Sequence, residues 1–245
     1  MNPFPHNGVT AHRGNSGEFP ENTMAALRSA VELGADWVEV DVLATRDGVL
    51  VLSHDATTGR TGDRDLTIAE STFAELRTVD VSAGFGGGPA RVPSLAEALE
   101  FFAARKRTRL SIQPKADVLD AVFRAVDEAG ARRLVGFNDG SLPLMRRVKA
   151  WDARVPVFWD RHDYTNEAEL DADIATAKAE GFEALVLRRD TVTPRRVARI
   201  AAAGLEPGAW TVNAPEEMRA LRAAGVRRLY TDHPARALRL AMPGR

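Results

Sequence analysis

The sequence predicts an α/β chain folded as a closed (β/α)8 barrel of the TIM type, with one short insertion between the second strand and the second helix. Three observations carry that expectation. Strand-like and helix-like stretches alternate along the 245 residues, and eight strands directly precede a helix. Polar side chains able to do chemistry gather where those strands end. An open doubly wound sheet is the competing arrangement, but its first strand–helix turn would carry a glycine fingerprint that is absent here.

Each element has a local reason. Gly8–His12 is a short apolar strand, and Asn22 or Thr23 can cap a helix from about Met24 to Leu33, which Gly34 stops. Trp37–Val42 is the second strand. Asp47-Gly48 then marks a hairpin-type turn into an extra apolar strand, Val49–Leu52, that ends at His54. The pattern weakens from 56 to 92, a polar segment with a short helix expected near Ile68–Leu76 and a glycine run at Gly84–Gly88. It is read as a small inserted lid on one domain of residues 1–245. Ser94 with Glu97 forms a capping box for the next helix. Regular alternation follows, with strands at Arg109–Gln113, Leu134–Phe137, Val155–Trp159, Ala184–Leu187, Glu206–Trp210 and Leu229–Thr231, and a last helix opening at Pro234.

Composition narrows the function. A net charge of -1 gives no electrostatic case for nucleic acid or an anionic membrane surface. Cysteine is absent, which removes thiol catalysis and disulfides and suits a cytoplasmic location. No apolar run reaches membrane-spanning length, and Met1 to His6 lacks the pattern of a signal peptide.

The second strand, Trp37-Val38-Glu39-Val40-Asp41-Val42, organises the site. Residues two apart share a face, so Glu39 and Asp41 project together, opposite Val38, Val40 and Val42. Two convergent carboxylates need positive charge: a divalent cation, or pairing with nearby arginines. His12 and His54 end neighbouring strands and can divide general acid and base work. Arg13 and Lys115 can receive an anion, and Trp159 and Trp210, also at strand ends, are expected to border the substrate. Acid, base, hard cation and cationic clamp together describe phosphoryl hydrolysis better than acyl or sugar chemistry. No serine stands in a nucleophile elbow, and the glycine run lacks the Gly-Lys-Ser/Thr of a phosphate loop.

The ordered segments Ala11-His12-Arg13-Gly14, Pro20-Glu21-Asn22-Thr23, Glu39-Val40-Asp41, His54-Asp55, Val92-Pro93-Ser94-Leu95, Phe137-Asn138, Trp210-Thr211-Val212-Asn213 and Thr231-Asp232-His233-Pro234 resemble the glycerophosphodiester phosphodiesterase family over nearly the whole chain. The resemblance implies metal-dependent cleavage of a small-molecule glycerophosphodiester into glycerol 3-phosphate and an alcohol. It further implies His12 and His54 as the acid/base pair, Glu39 and Asp41 as ligands to magnesium or calcium, and Arg13 and Lys115 on the phosphate. One position departs from the family pattern. In Ser111-Ile112-Gln113-Pro114-Lys115, Gln113 stands where the family places a third carboxylate ligand. An amide oxygen can ligate a hard cation but contributes a dipole, not a charge, so weaker metal affinity is expected. Two alternatives stay open from sequence: a lysophospholipid headgroup phosphodiesterase on the same scaffold, and a non-catalytic phosphate-ester binder.

Overall fold

The computed structural model describes residues 6–105, 108–164 and 166–240. Apart from His6, the N-terminal stretch weighed above lies outside them. Eight parallel strands form the wall: β1 (Val9–Ala11), β2 (Trp37–Ala44), β4 (Arg109–Pro114), β5 (Val135–Asp139), β6 (Val157–Arg161), β7 (Ala184–Arg188), β8 (Glu206–Trp210) and β9 (Arg228–Thr231). The ring closes because β1 pairs with both β2 (Thr10 opposite Trp37) and β9 (Val9 opposite Leu229). β3 (Leu50–Leu52) is antiparallel to the far end of β2, with Val42 opposite Leu52, as the Asp47-Gly48 turn requires.

Helices α1 (Met24–Leu33), α3 (Leu95–Arg105), α4 (Leu119–Glu128), α5 (Leu142–Trp151), α6 (Glu167–Ala179), α7 (Pro194–Ala202), α8 (Pro215–Ala223) and α9 (Pro234–Arg239) follow the wall strands. Their starts are set by local chemistry. Thr23, Ser141, Asn166 and Thr193 accept backbone N–H groups as caps, and Pro194, Pro215 and Pro234 open their helices. The strands' outward faces, Val38, Val40 and Val42 among them, bury against these helices in the main apolar core.

The inward faces build a second, smaller core of Trp37, Phe158, Ala184, Val186 and Tyr230. Trp37 meets Phe158 edge-on with ring centres 5.0 Å apart. Glycine on the neighbouring strands makes this possible. A Cβ on Gly136 would sit 2.9 Å from the Trp37 ring, and one on Gly208 would sit 2.9 Å from Val186. Below them Arg228 bridges Asp36 (3.3 Å) and Glu206 (2.9 Å), so charge pairing closes the N-terminal end of the barrel.

Residues 56–92 contain a 3-10 turn at Ile68–Glu70 and α2 (Phe73–Leu76), where Thr72 and Glu75 form a capping box. The sequence suggests a polar, weakly structured stretch. The segment instead packs Ile68, Leu76, Val79, Val81 and Val92 onto Leu43 and Val51, which pair across β2 and β3. Its apolar residues are spaced by loops, which is why no period betrays them.

Candidate active site

The C-terminal ends of the wall strands enclose a cavity of about 360 Å³, lined by His12, Arg13, Glu39, His54, Gln113, Lys115 and Trp210 among others. A larger cavity, about 920 Å³, opens at the opposite end of the barrel around Asp36, Glu206 and Arg228 and holds none of the residues singled out for chemistry. Active sites in this fold sit at the C-terminal end, and the smaller cavity is the one with the reactive side chains.

Glu39 and Asp41 share the inward face of β2 and are almost wholly buried, at 1% and 0% exposure. Arg13 adopts a left-handed backbone (φ 56°), which turns its N–H onto Glu39 Oε2 at 3.0 Å. Asn22, also left-handed (φ 55°), donates from Nδ2 to Asp41 Oδ2 at 2.9 Å and accepts the Asp41 N–H at 3.2 Å. Non-glycine residues hold such angles only where surrounding contacts impose them, and both contacts here converge on the paired acids. The arginine alternative is partly realised, since Arg13 Nε lies 3.2 Å from Asp41 Oδ2.

That pairing leaves part of the site unfilled. Glu39 Oε1 and Asp41 Oδ1 are buried without a hydrogen-bond partner among the described residues. Lys115 Nζ stands 3.2 Å from Asp41 Oδ1 and donates to Gln113 Oε1 at 2.8 Å, so its ammonium sits between the two groups. Gln113 lies opposite Asp41 in the β2–β4 register and faces the same interior. Burial, then the neighbouring Asp41 charge, pushes the Glu39 carboxyl upward, with His12 and Arg13 opposing. The unpartnered Glu39 Oε1, with Asp41 Oδ1 and the Gln113 amide oxygen that the Lys115 ammonium now holds, are oxygens of the kind a hard divalent cation takes. Among the described residues no group of three or more His, Cys, Asp or Glu side chains is arranged to hold a metal ion.

Each histidine is oriented by its own carboxylate. His12 Nδ1 is 2.7 Å from Asp232 Oδ1, and His54 Nδ1 is 2.7 Å from Asp55 Oδ1. Asp232 also accepts from Ser16 (3.0 Å) and from Asn213 (2.6 Å). Burial pushes Asp232 up, but these donors outweigh it and hold it at about 2. An ionised Asp232 accepts from Nδ1–H and leaves Nε2 for proton transfer. For His12, burial lowers its proton affinity, but the Asp232 bond and then the Glu39 charge overcome that, and the net shift is upward. Asp55 is shared with Arg60, whose guanidinium continues to Glu21 at 2.6 Å, and Glu21 in turn holds Arg13 at 3.1 Å.

The structure therefore brings His12, His54, Glu39, Asp41, Gln113, Arg13, Lys115 and Trp210 around one cavity. Trp159 is the correction. It lies between Phe158 and Asp160 on β6, so strand alternation turns it outward, where it is 2% exposed, packs on Phe182 and donates to the Gly140 carbonyl. It does not border the substrate cavity. The orienting acids Asp55 and Asp232 were present in the sequence motifs, but only the fold shows what they hold. Asn138, Asp139, Asp160, His162 and Tyr230 also line the cavity. Of these only Asn138 had a sequence signal, in the Phe137-Asn138 segment.

Comparison with known proteins places the chain in a family. The model of the Glycerophosphoryl diester phosphodiesterase family matches residues 12–236. An uncharacterized protein, YqiK, of Bacillus subtilis is 31% identical over 242 residues, covering 94% of this chain and 96% of that one. A glycerophosphodiester phosphodiesterase of Caldanaerobacter subterraneus is 28% identical over 247 residues, covering 96% and 98%. Among solved structures, an Oleispira antarctica phosphodiesterase in complex with the product sn-glycerol-3-phosphate superposes with a TM-score of 0.81 at 26% identity, covering 95% of each chain. With a matched segment that runs from the first catalytic candidate, His12, into the last helix, this chain belongs to the glycerophosphoryl diester phosphodiesterase family.

Proposed function

We propose that the protein hydrolyses glycerophosphodiesters to glycerol 3-phosphate and an alcohol, with a divalent ion, magnesium or calcium, held by Glu39, Asp41 and the Gln113 amide. The observation that carries this reading is the pair of carboxylate-oriented histidines, His12–Asp232 and His54–Asp55, opening on one cavity with the buried acids. The Oleispira relative, solved with sn-glycerol-3-phosphate, supports the substrate class. When bound, the ion supplies Lewis-acid neutralisation of the phosphoryl oxygens.

The chain's own residues do the rest. One histidine removes the proton from the attacking oxygen through Nε2, and the other delivers a proton to the leaving alkoxide. Lys115, the ammonium nearest the acids, is the phosphate's cation, and Arg13 holds Asp41 in place while presenting positive charge at the cavity edge. Trp210 forms one wall. Residues 56–92 act as a lid on the single barrel domain, because Arg60 ties this segment to Asp55 and Glu21 at the rim.

The test is enzymatic detection of glycerol 3-phosphate after incubation with glycerophosphocholine, glycerophosphoethanolamine and glycerophosphoglycerol, with lysophosphatidylcholine in parallel. Release from the deacylated diesters is expected. Headgroup cleavage of the lysolipid alone would assign the scaffold to lipid substrates, and binding without any release would make the protein a phosphate-ester binder.

A further inference from the structure

A buried polar series that proton transfer does not use runs up to the wall of the active-site cavity, where Asn138 and Asp160 line it. Ser111 on β4, Asn138 on β5 and Asp160 on β6 stand on neighbouring strands and are at most 7% exposed. Ser111 Oγ donates to Asn138 Oδ1 at 2.7 Å, and Asn138 Nδ2 donates to Asp160 Oδ2 at 3.2 Å. There the series stops. Asp160 Oδ1 is buried with no hydrogen-bond partner among the described residues, although Asp160 lines the cavity. Trp210, which lines the same cavity, likewise has its Nε1 buried and unpartnered.

A buried polar atom left unpaired is expensive, and Asp160 Oδ1 and Trp210 Nε1, on a cavity that also meets the unpartnered Tyr230 Oη and Glu39 Oε1, point to a ligand group that completes both. The pair is an unsatisfied carboxyl oxygen and an unsatisfied N–H. A hydroxyl both donates and accepts, so it matches the two together, whereas an ammonium would leave the indole N–H unmet. Burial, opposed by the Asn138 bond, pushes Asp160 up to about 8. A hydroxyl that donates to Oδ1 offsets this burial cost, as the Asn138 N–H does at Oδ2.

Resting on the activity proposed above, we infer that Asp160 Oδ1 and Trp210 Nε1 bind a free hydroxyl of the glycerol arm, which makes Asp160 a specificity-determining residue for deacylated substrates. Glycerol is the constant arm of such diesters and the alcohol the variable one. The constant arm belongs against the closed wall of Asn138, Asp160 and Tyr230, all under 8% exposed. The variable arm needs an open path, and the His54 side chain, 32% exposed, stands on that side. An acyl ester in place of the hydroxyl would set an apolar chain against a buried acid and remove the donor the wall requires.

Calorimetric binding of sn-glycerol 3-phosphate and its two deoxy analogues, propane-1,2-diol 1-phosphate and propane-1,3-diol monophosphate, tests this without requiring turnover. In the wild type at least one analogue binds about 30-fold or more weaker, because a site built to hydrogen-bond a hydroxyl rejects the ligand that lacks it. Asp160→Leu, similar in shape, reduces glycerol 3-phosphate affinity and holds all three ligands within about threefold. Asp160→Asn restores part of the discrimination. The inference is overturned if the wild type binds both analogues within about threefold of glycerol 3-phosphate, if it binds none of the three, or if Asp160→Leu discriminates as the wild type does. Discrimination in a protein that releases no glycerol 3-phosphate from any diester would sink the catalytic reading while leaving this one standing.

Discussion

At the scale of single residues, the site rests on groups that are individually ordinary and made reactive by what faces them. His12 and His54 each spend Nδ1 on a carboxylate, which fixes the ring and frees Nε2. Replacing either by alanine should lower kcat by about two to four orders of magnitude. Both sit at strand ends outside the apolar core, so circular dichroism should show an unchanged fold. Activity within about tenfold of wild type, at saturating metal, would remove that histidine from the proton-transfer role. Gln113 is the second residue-scale test. Its amide accepts from Lys115 rather than presenting a charge. Gln113→Glu should tighten divalent binding by about 1–3 kcal/mol, a tenfold to hundredfold fall in metal half-saturation. The rate can move either way, because added negative charge also repels the phosphodiester. An unchanged half-saturation would mean that residue 113 does not face the ion.

At the scale of elements, the inward faces of the strands are tightly fitted. Gly136 is the sharpest case, because a methyl there meets Trp37 at 2.9 Å and Phe158 at 3.1 Å, both rigid buried rings. Gly136→Ala should destabilise by about 1–3 kcal/mol through overpacking. Gly86→Ala serves as the comparison, since its Cβ would meet nothing within 4 Å. Thermal denaturation should show a lower Tm for the first and a small change for the second; equal effects would contradict the packing described for the barrel interior.

The same element scale shows what the sequence made legible. The alternation of Glu39 and Asp41 with three valines predicted both faces of β2 correctly, because one face is charged and the other apolar. In Val157-Phe158-Trp159-Asp160 the apolar residues fall on both faces, since Phe158 packs inside the barrel and Trp159 against the helices. Period two then gives no direction. Asp160, an acid beside Trp159, was the one available hint that the tryptophan turns outward. The packing of the insertion, not its presence, escaped for a different reason: its buried residues pack through turns rather than along a repeat.

At the scale of the molecule, the site depends on closing the ring, because His12 after β1 is held by Asp232 after β9, 220 residues away in sequence. No spacing rule reveals such a contact. Its energetics can be read by pH. The Asp232 carboxyl is lowered from 3.8 to about 2, so its contribution to stability is present above about pH 4 and lost as pH falls through about 2. The His12 imidazole is raised above 6.5, so its contribution is full below pH 6.5 and lost as pH rises through the folded value. The stability gap between wild type and Asp232→Asn should therefore be widest between those limits and narrow on both sides. A gap independent of pH would mean that the pair is not ionic.

These scales meet in the proposed activity, for which one barrel end gathers two oriented histidines and a buried acid pair: metal-dependent cleavage of glycerophosphodiesters. Glycerol 3-phosphate release from glycerophosphocholine, followed while chelator is added and magnesium or calcium then restored in excess, tests it most directly. Release should stop with chelator and return with the ion, and neither Glu39→Gln nor Asp41→Asn should recover at the wild-type metal concentration. Release that continues undiminished in chelator, with both variants fully active, would contradict it and return Glu39 and Asp41 to a structural role beside Arg13.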